Sequence, residues 1–229
     1  MNQTLAASIA IATLTTAASA GIAPAVLDVF LSAEDGRVLT SGFSDETKSV
    51  VAPGQRVFAA VLGEDPEFPF SGDEPGIRGD LVDVTVSFTL QSGLWRWNGA
   101  GFDATGGALL VEYGGSVVDS LTGGSIAYFA NADTHVHPGY TLAGPEGADP
   151  ATGIYLAAFN ASATGLRTSE TFWMVFNLGE GDGEHAAAMA WAQENLVPAP
   201  GALALLGLAP IIGRRARSRS SRRSSAARP

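Results

Sequence analysis

The chain has 229 residues, enough for one domain of ordinary size with short segments at either end, and its 28 glycines and 12 prolines indicate many turns and few long helices. All 23 acidic residues lie between Asp28 and Glu194, where only six basic residues oppose them, so this part of the chain carries a formal charge of -17. That charge excludes a surface for nucleic-acid phosphates or anionic lipid, and the absence of cysteine excludes disulfides, thiolate metal sites and a cysteine nucleophile.

The N-terminal segment has the pattern of a signal peptide. Residues 5–16 are apolar or small and uncharged, and Ala18 and Ala20 then supply small residues at the alternate positions that signal peptidase accepts. Residues 1–4 contain no lysine or arginine, so only the terminal amine supplies positive charge. We expect cleavage after Ala20 and export of the remainder; the alternative is a buried N-terminal helix or strand.

Residues 21–196 are predicted to form the secreted domain, in which several segments alternate with a period of two, as half-buried strands do. The clearest is 81–90, where Val84, Val86 and Phe88 share one face. Segments 25–31 and 38–40 flank a turn with Gly36 and indicate a hairpin. Further strands are predicted at 55–62, 108–113, 125–129, 154–161 and 171–178. About nine short strands predict an all-β fold, an antiparallel sandwich of two sheets.

One helix is predicted at the end of this domain. Asp182 can cap its N-terminus, Glu184 favours the positive end of the helix dipole, and residues 186–194 are mostly good helix formers. Asn195 and Pro198 mark its end.

The chain has three histidines, and their positions suit a metal site. His135 and His137 are one residue apart, so on a strand both imidazoles point to the same face, while His185 lies in the first turn of the predicted helix. With Asp133 or Glu184 they could complete a tetrahedral zinc site without cysteine. The alternative is that they are ordinary surface or buried histidines without a metal.

Other patterns are weaker. Trp95, Arg96 and Trp97 could form an aromatic platform for polysaccharide or belong to the core. The acidic loops 64–67 and 73–76 could hold calcium but lack the spacing of a calcium-binding loop. No nucleophile elbow, phosphate-binding loop or dinucleotide-binding motif is present, so the sequence predicts a protein that is not an enzyme.

The C-terminal segment has three parts in a fixed order: a proline motif, an apolar run over 202–212, and an arginine cluster. The run 201–213 would span about 20 Å as a helix, less than the roughly 30 Å of a bilayer core, which favours weak or transient insertion with the arginines on the cytoplasmic side. The alternatives are a plain membrane anchor and an arginine-serine RNA-binding tail. Residues 218–229 are expected to be a disordered tail. The defining residues of the signal, over 197–217, are Val197, Pro198, Ala199, Pro200, Arg214, Arg215 and Arg217.

This segment, VPAPGALALLGLAPIIGRRAR, resembles the PEP-CTERM sorting signal, with Ala199 in place of the usual glutamate as in VPAP-type variants. The resemblance implies recognition by an exosortase, a membrane protease or transpeptidase that removes the segment and delivers the protein to the cell envelope or extracellular matrix.

The secreted domain resembles a family of secreted PEP-CTERM proteins, some of them associated with repression by the zinc-uptake regulator. The resemblance is carried by EDGRVLTSG, GEDPEFPFSGDEPG, LWRWNGAGF, THVHPGYTL, GIYLAAF and SETFWMVFNLGEGDGEHAAAMAW. It implies an extracellular β-rich domain with a connection to zinc, and it maps His135, His137 and His185 onto matching positions. Pro138 and Ala187 depart from the family pattern.

The sequence therefore predicts an exported, non-enzymatic protein of the cell surface or extracellular matrix. Its expected partners are signal peptidase, an exosortase, and exopolysaccharide or envelope components, with no nucleic acid. The alternative is a zinc-binding surface protein that uses the HxH strand and the helix histidine.

Overall fold

The computed structural model describes residues 23–198, which form sixteen strands, one short 3-10 helix and one α-helix. The first eight strands are β1 (Asp28–Glu34), β2 (Arg37–Ser44), β3 (Ser49–Ala52), β4 (Val57–Leu62), β5 (Ser71–Gly72), β6 (Ile77–Gly79), β7 (Val84–Leu90) and β8 (Trp95–Trp97). The other eight are β9 (Phe102–Ala104), β10 (Ala108–Tyr113), β11 (Ser116–Asp119), β12 (Gly124–Ala130), β13 (His135–Val136), β14 (Gly139–Ala143), β15 (Gly153–Ala163) and β16 (Phe172–Leu178). The 3-10 helix is Pro145–Gly147, and helix α1 is Asp182–Leu196.

The strands form three sheets. Sheet one has the order β13-β6-β1-β2-β3, and sheet two has the order β11-β10-β14-β5. Sheet three has the order β12-β7-β15-β16-β4, with the β8-β9 hairpin paired to β15. Most pairings are antiparallel, but β1 with β6 and β16 with β4 are parallel.

One large apolar core joins the three sheets. Sheet three contributes Phe58, Phe88 and Phe159 from its inner face, and sheets one and two contribute residues such as Ile77 and Tyr140. Because residues of all three sheets share this core, sheets one and two cover the same face of sheet three. Strands β15 and β16 are buried on both faces and lie in the interior of sheet three.

The structure confirms a mostly β domain that ends in one helix, but the predicted nine strands in two antiparallel sheets were wrong for residues 23–198. Five of the sixteen strands have only two or three residues, and they are separated by glycine, proline and aspartate turns. A period of two cannot be recognised over so few positions, so these strands were not visible in the sequence.

Helix α1 packs on the outer face of sheet three and covers Val57, Ile154, Leu156 and Val175. Its buried stripe consists of His185, Ala188 and Ala192. Two small residues in this stripe let the helix axis lie close to the strands. The predicted cap was wrong by one residue: Gly181 is the N-cap, and Asp182 is the first residue of the helix.

The predicted signal peptide, with Ala18 and Ala20, lies outside the described residues, as do Ala199, Pro200 and the arginines of the sorting signal. Val197 and Pro198 are described, and Val197 is partly buried against the helix cluster. No helix within residues 23–198 combines the length and apolar character needed to cross a membrane.

Candidate metal centre

The site lies on the face of sheet one that points away from the core. Strand β13 pairs with β6 so that His135 lies opposite Arg78 and Val136 lies opposite Ile77. Val136 and Ile77 both belong to the core. Since successive side chains on a strand point to opposite faces, His135 and Arg78 lie together on the outer face.

Asp28, the first residue of β1, faces His135 there. Oδ2 of Asp28 is 2.9 Å from Nε2 of His135, and the Asp28 side chain is only 5% exposed. The angles do not allow a hydrogen bond between these two atoms, and both are buried without any hydrogen-bond partner among residues 23–198. Nη1 of Arg78 lies 3.7 Å from the same Asp28 oxygen, as an ion pair. Two facing polar atoms that remain without hydrogen bonds are rare in folded proteins, and a ligand beside both atoms would satisfy them together.

Asp45, in the turn after β2, completes a group of three possible ligands. Asp28, Asp45 and His135 each offer an atom that lies within 4.8 Å of the others, so the structure contains a possible metal-binding triad. Asp45 is already neutralised, because its Oδ1 lies 2.5 Å from Nη1 of Arg78 and 3.0 Å from Nζ of Lys48. The hydrogen bond from Lys48 is the main cause that lowers the pKa of Asp45.

His137 lies beside His135, with ring centroids 4.4 Å apart, although its nitrogen atoms do not join the 4.8 Å group. Its Nδ1 is 3.3 Å from the carbonyl oxygen of Asp73 and 3.5 Å from Oε1 of Glu74. A carbonyl only accepts hydrogen bonds, so Nδ1 is the donor in this contact. Many metal-binding histidines are held in this way by an oxygen at Nδ1 while Nε2 binds the metal.

The loop 73–76 forms the floor of the site. The backbone N–H of Gly76 donates to Oδ1 of Asp28 at 3.0 Å and to Oε2 of Glu74 at 2.8 Å. A Cβ atom at Gly76 would lie 2.7 Å from Nε2 of His135, 2.9 Å from Oδ1 of Asp28 and 3.1 Å from Cε1 of His137. The side chains of Asp28, His135 and His137 therefore border the space that this glycine leaves free.

Burial shifts the pKa of two groups at this site. Desolvation lowers the pKa of His135, and the nearby Asp28 carboxylate opposes that shift only in part. Desolvation also raises the pKa of Glu74, against the hydrogen bond from Gly76. His135 is thus a neutral imidazole at neutral pH, which is the form that binds metals.

The structure brings two of the three predicted histidines together and places the third elsewhere. His185 is 2% exposed under helix α1, on the outer face of sheet three, and its Nε2 lies 2.9 Å from the carbonyl oxygen of Val175. Its partner is a strand carbonyl, and burial lowers its pKa. The expectation that His185 joins His135 and His137 in one site is therefore not met in this structure, and neither Asp133 nor Glu184 belongs to the ligand group.

Sequence reasoning missed Asp28 and Asp45 and treated Glu74 only as part of an acidic loop. Asp28 is 107 residues from His135 in the chain, and they meet because β6 pairs with both β1 and β13. One available signal was the aspartate at position 28, an acidic residue at the start of an apolar strand segment.

The group offers one imidazole nitrogen and two carboxylate oxygens, a set of atoms that could hold a metal ion. Comparison of the sequence with models of known protein families finds no match, and comparison with curated proteins finds none.

Proposed function

We propose that this chain is an exported protein of the cell envelope or extracellular matrix whose folded domain binds zinc through His135, His137 and Asp28. The observation that carries the metal site is the buried pair Asp28 Oδ2 and His135 Nε2, which face each other at 2.9 Å without a hydrogen bond. A dication that bonds to both atoms satisfies them together, and neither water nor a proton between them is then needed.

His137 is the third ligand rather than Asp45. Asp45 is held by two cationic side chains, Arg78 at 2.5 Å and Lys48 at 3.0 Å. Arg78 is 3.7 Å from the Asp28 oxygen, so a metal ion at Asp28 meets less competition from a cation than one at Asp45. The exposed ring of His137 lies beside that of His135, with centroids 4.4 Å apart, so its Nε2 can join a metal ion bound to His135. The contacts of Nδ1 with Asp73 and Glu74 support this ring from the outside, as second ligand shells do.

The export and surface sorting of the protein are proposed from its N-terminal and C-terminal segments. Residues 1–20 act as the signal peptide, and residues 197–217 act as a PEP-CTERM-like signal with a hydrophobic sorting helix, which an exosortase removes. Support comes from the order of the proline motif, apolar run and arginine cluster. The strongly acidic domain, with its formal charge of -17, suits a role in cation capture and solubility outside the cell rather than in catalysis.

The metal proposal is tested by thermal melting of the purified protein, first with a chelator and then with stoichiometric zinc, calcium or manganese. We expect a rise in Tm of several degrees with zinc alone, because a ligand at 100 times its Kd adds about 2.7 kcal/mol to the free energy of unfolding. The rise should disappear in the double variant His135→Ala, His137→Ala and persist in the control Asp133→Asn. No zinc-dependent rise in the wild type would refute the metal site.

The sorting proposal is tested in cells of the natural host. Antibody detection should show a shortened wild-type protein in the envelope or medium, and the double variant Pro198→Ala, Pro200→Ala should accumulate at full length in the membrane fraction. Equal processing of both proteins would refute recognition of the proline motif.

A further inference from the structure

A second cleft system lies on the other side of the domain, where the β8-β9 hairpin meets helix α1. Two clefts open on either side of Arg96 and Trp97, with volumes of about 640 Å³ and 240 Å³. The larger is lined also by Asn98, Asp103 and Thr105, and its volume lies in the range of ligand sites, about 300–1,000 Å³. The smaller is lined also by Glu180 and Glu184.

Trp97 stands between the clefts in a fixed orientation. Its Nε1–H donates to Oε2 of Glu184 at 3.0 Å, which ties the hairpin to the helix. Its ring packs against Phe102 at 5.2 Å and Trp191 at 6.3 Å between centroids. An aromatic ring that lines two clefts and is already immobilised can stack on a ligand with little loss of conformational entropy.

The polar side chains around Trp97 have hydrogen-bond donors and acceptors that form no hydrogen bond within the described residues. Arg96 donates through Nη2 to the carbonyl oxygen of Thr152 at 2.7 Å, and it forms no ion pair with a carboxylate among residues 23–198. Asp103 accepts from Asn98 at 2.8 Å through one oxygen only. Two hydrogen bonds with Asn177 hold the backbone of Glu180, so its exposed carboxylate is presented from a fixed loop.

These groups select the chemistry of the ligand. Asp103, Glu180 and Glu184 outnumber Arg96, which disfavours an anion, while the Arg96 guanidinium at the centre disfavours a metal ion. Sugar hydroxyls both donate and accept, so they can bridge the guanidinium and the carboxylates, and the apolar C–H face of a sugar ring can stack on Trp97. We propose that the clefts around Arg96 and Trp97 bind a neutral oligosaccharide.

This site is independent of the zinc site, because its residues belong to sheet three and α1 and the candidate ligands belong to sheet one and its neighbouring loops. The acidic surface of the whole domain would repel an acidic polymer, which is why the proposal is limited to neutral sugars.

The test is titration of the purified full chain with cellohexaose, laminarihexaose and maltohexaose, followed by calorimetry and tryptophan fluorescence. We expect saturable binding of at least one of them, weakened at least tenfold, a loss of about 1.4 kcal/mol, by Trp97→Phe and by Glu180→Gln. Glu180 is exposed, so its variant keeps the fold even if the change at Trp97 does not. The control is Phe129→Ala, an exposed aromatic residue on edge strand β12.

Two results would overturn the proposal. One is the absence of binding to all three sugars at concentrations up to about 10 mM. The other is binding that Trp97→Phe and Glu180→Gln both leave unchanged while Phe129→Ala weakens it, since the sugar would then lie elsewhere. Neither result bears on the zinc titration, so the two proposals fail separately.

Discussion

Oδ2 of Asp28 lies 2.9 Å from Nε2 of His135, and neither atom has a hydrogen-bond partner within residues 23–198. The other carboxylate oxygen of Asp28 accepts a hydrogen bond from Gly76, so one half of this buried group is satisfied and the other is not. A buried polar atom without a hydrogen-bond partner destabilises the fold, so a ligand that bonds to both atoms would add to the stability of the domain.

The substitution Asp28→Asn separates the effect of Asp28 on the stability of the fold from its proposed effect on zinc binding. The asparagine can keep the bond from Gly76 through Oδ1 and replaces a buried anionic oxygen by an uncharged group, so we expect the variant to melt in chelator close to the wild-type temperature. It lacks the anionic ligand, so we also expect the rise in Tm with zinc to be lost. Arg78 loses its 3.7 Å ion pair with Asp28 in the variant but retains Asp45 as its partner.

The measurement is a pair of melting curves, with chelator and with zinc, for wild type, Asp28→Asn and the exposed control Asp133→Asn. An undiminished response of Asp28→Asn to zinc would contradict the assignment of Asp28 as a ligand.

Gly76→Ala should fill the space on which the ligands converge. The added Cβ would lie 2.7 Å from His135 Nε2 and 2.9 Å from Asp28 Oδ1, so these side chains must move apart. We expect a loss of stability of about 1–3 kcal/mol and a zinc affinity reduced at least tenfold, measured by denaturant unfolding and zinc titration.

The matched control for this change is Gly139→Ala, where the nearest atom to the new Cβ is the carbonyl oxygen of Glu112 at 3.9 Å. It should leave zinc affinity unchanged. If the two alanine variants bind zinc equally well, the space at Gly76 is not part of the site.

Tyr140→Phe should show that the apolar core supports loop 73–76, which forms the floor of the proposed metal site. Tyr140 is fully buried, and its hydroxyl donates to the carbonyl oxygen of Pro75 at 3.1 Å, directly before Gly76. Loss of this bond leaves the carbonyl unsatisfied, so we expect the free energy of unfolding to fall by about 1–2 kcal/mol and zinc affinity to fall with it.

Tyr128→Phe provides the comparison, because the Tyr128 hydroxyl forms no hydrogen bond to the described residues. Denaturant unfolding and zinc titration of both variants measure the difference. A loss of stability without a loss of zinc affinity in Tyr140→Phe would show that the loop keeps its shape without this bond.

His185 should make the domain less stable in mild acid. Burial lowers its pKa in the folded state, so below about pH 6.5 the unfolded chain binds a proton that the folded chain does not. The stability that this residue contributes is therefore complete above about pH 6.5, and it is lost as the pH falls toward the lower pKa of the folded state.

Denaturant unfolding between pH 7.5 and 5, in the presence of chelator, measures this effect. His185→Gln can keep a donor to Val175, and its stability should fall less steeply with pH than that of the wild type. Because the pKa of His135 is also lowered, part of the slope should remain. Identical slopes for the two proteins would contradict the role of His185.

The sequence by itself determined much of the secondary structure. Strand β7 was found from the alternation of Val84, Val86 and Phe88, and the positions of β15, β16 and α1 were found as well. These segments are long enough for a period of two, or a run of helix formers, to be recognised. The segments at 1–20 and 197–217 were read from local order alone, and those assignments stay predictions.

Only the tertiary structure decided which side chains share the site. His135 and His137 were recognisable as a pair because only one residue separates them in the chain, although only His135 belongs to the short strand β13. Asp28 lies beside His135 because β6 pairs in parallel with β1 and antiparallel with β13. His185 lies elsewhere, on the face of α1 that packs on sheet three, where its Nε2 contacts the carbonyl oxygen of Val175. Contacts between residues far apart in the chain depend on how strands pair and which faces are buried. Residue types and spacing along one strand do not contain that information.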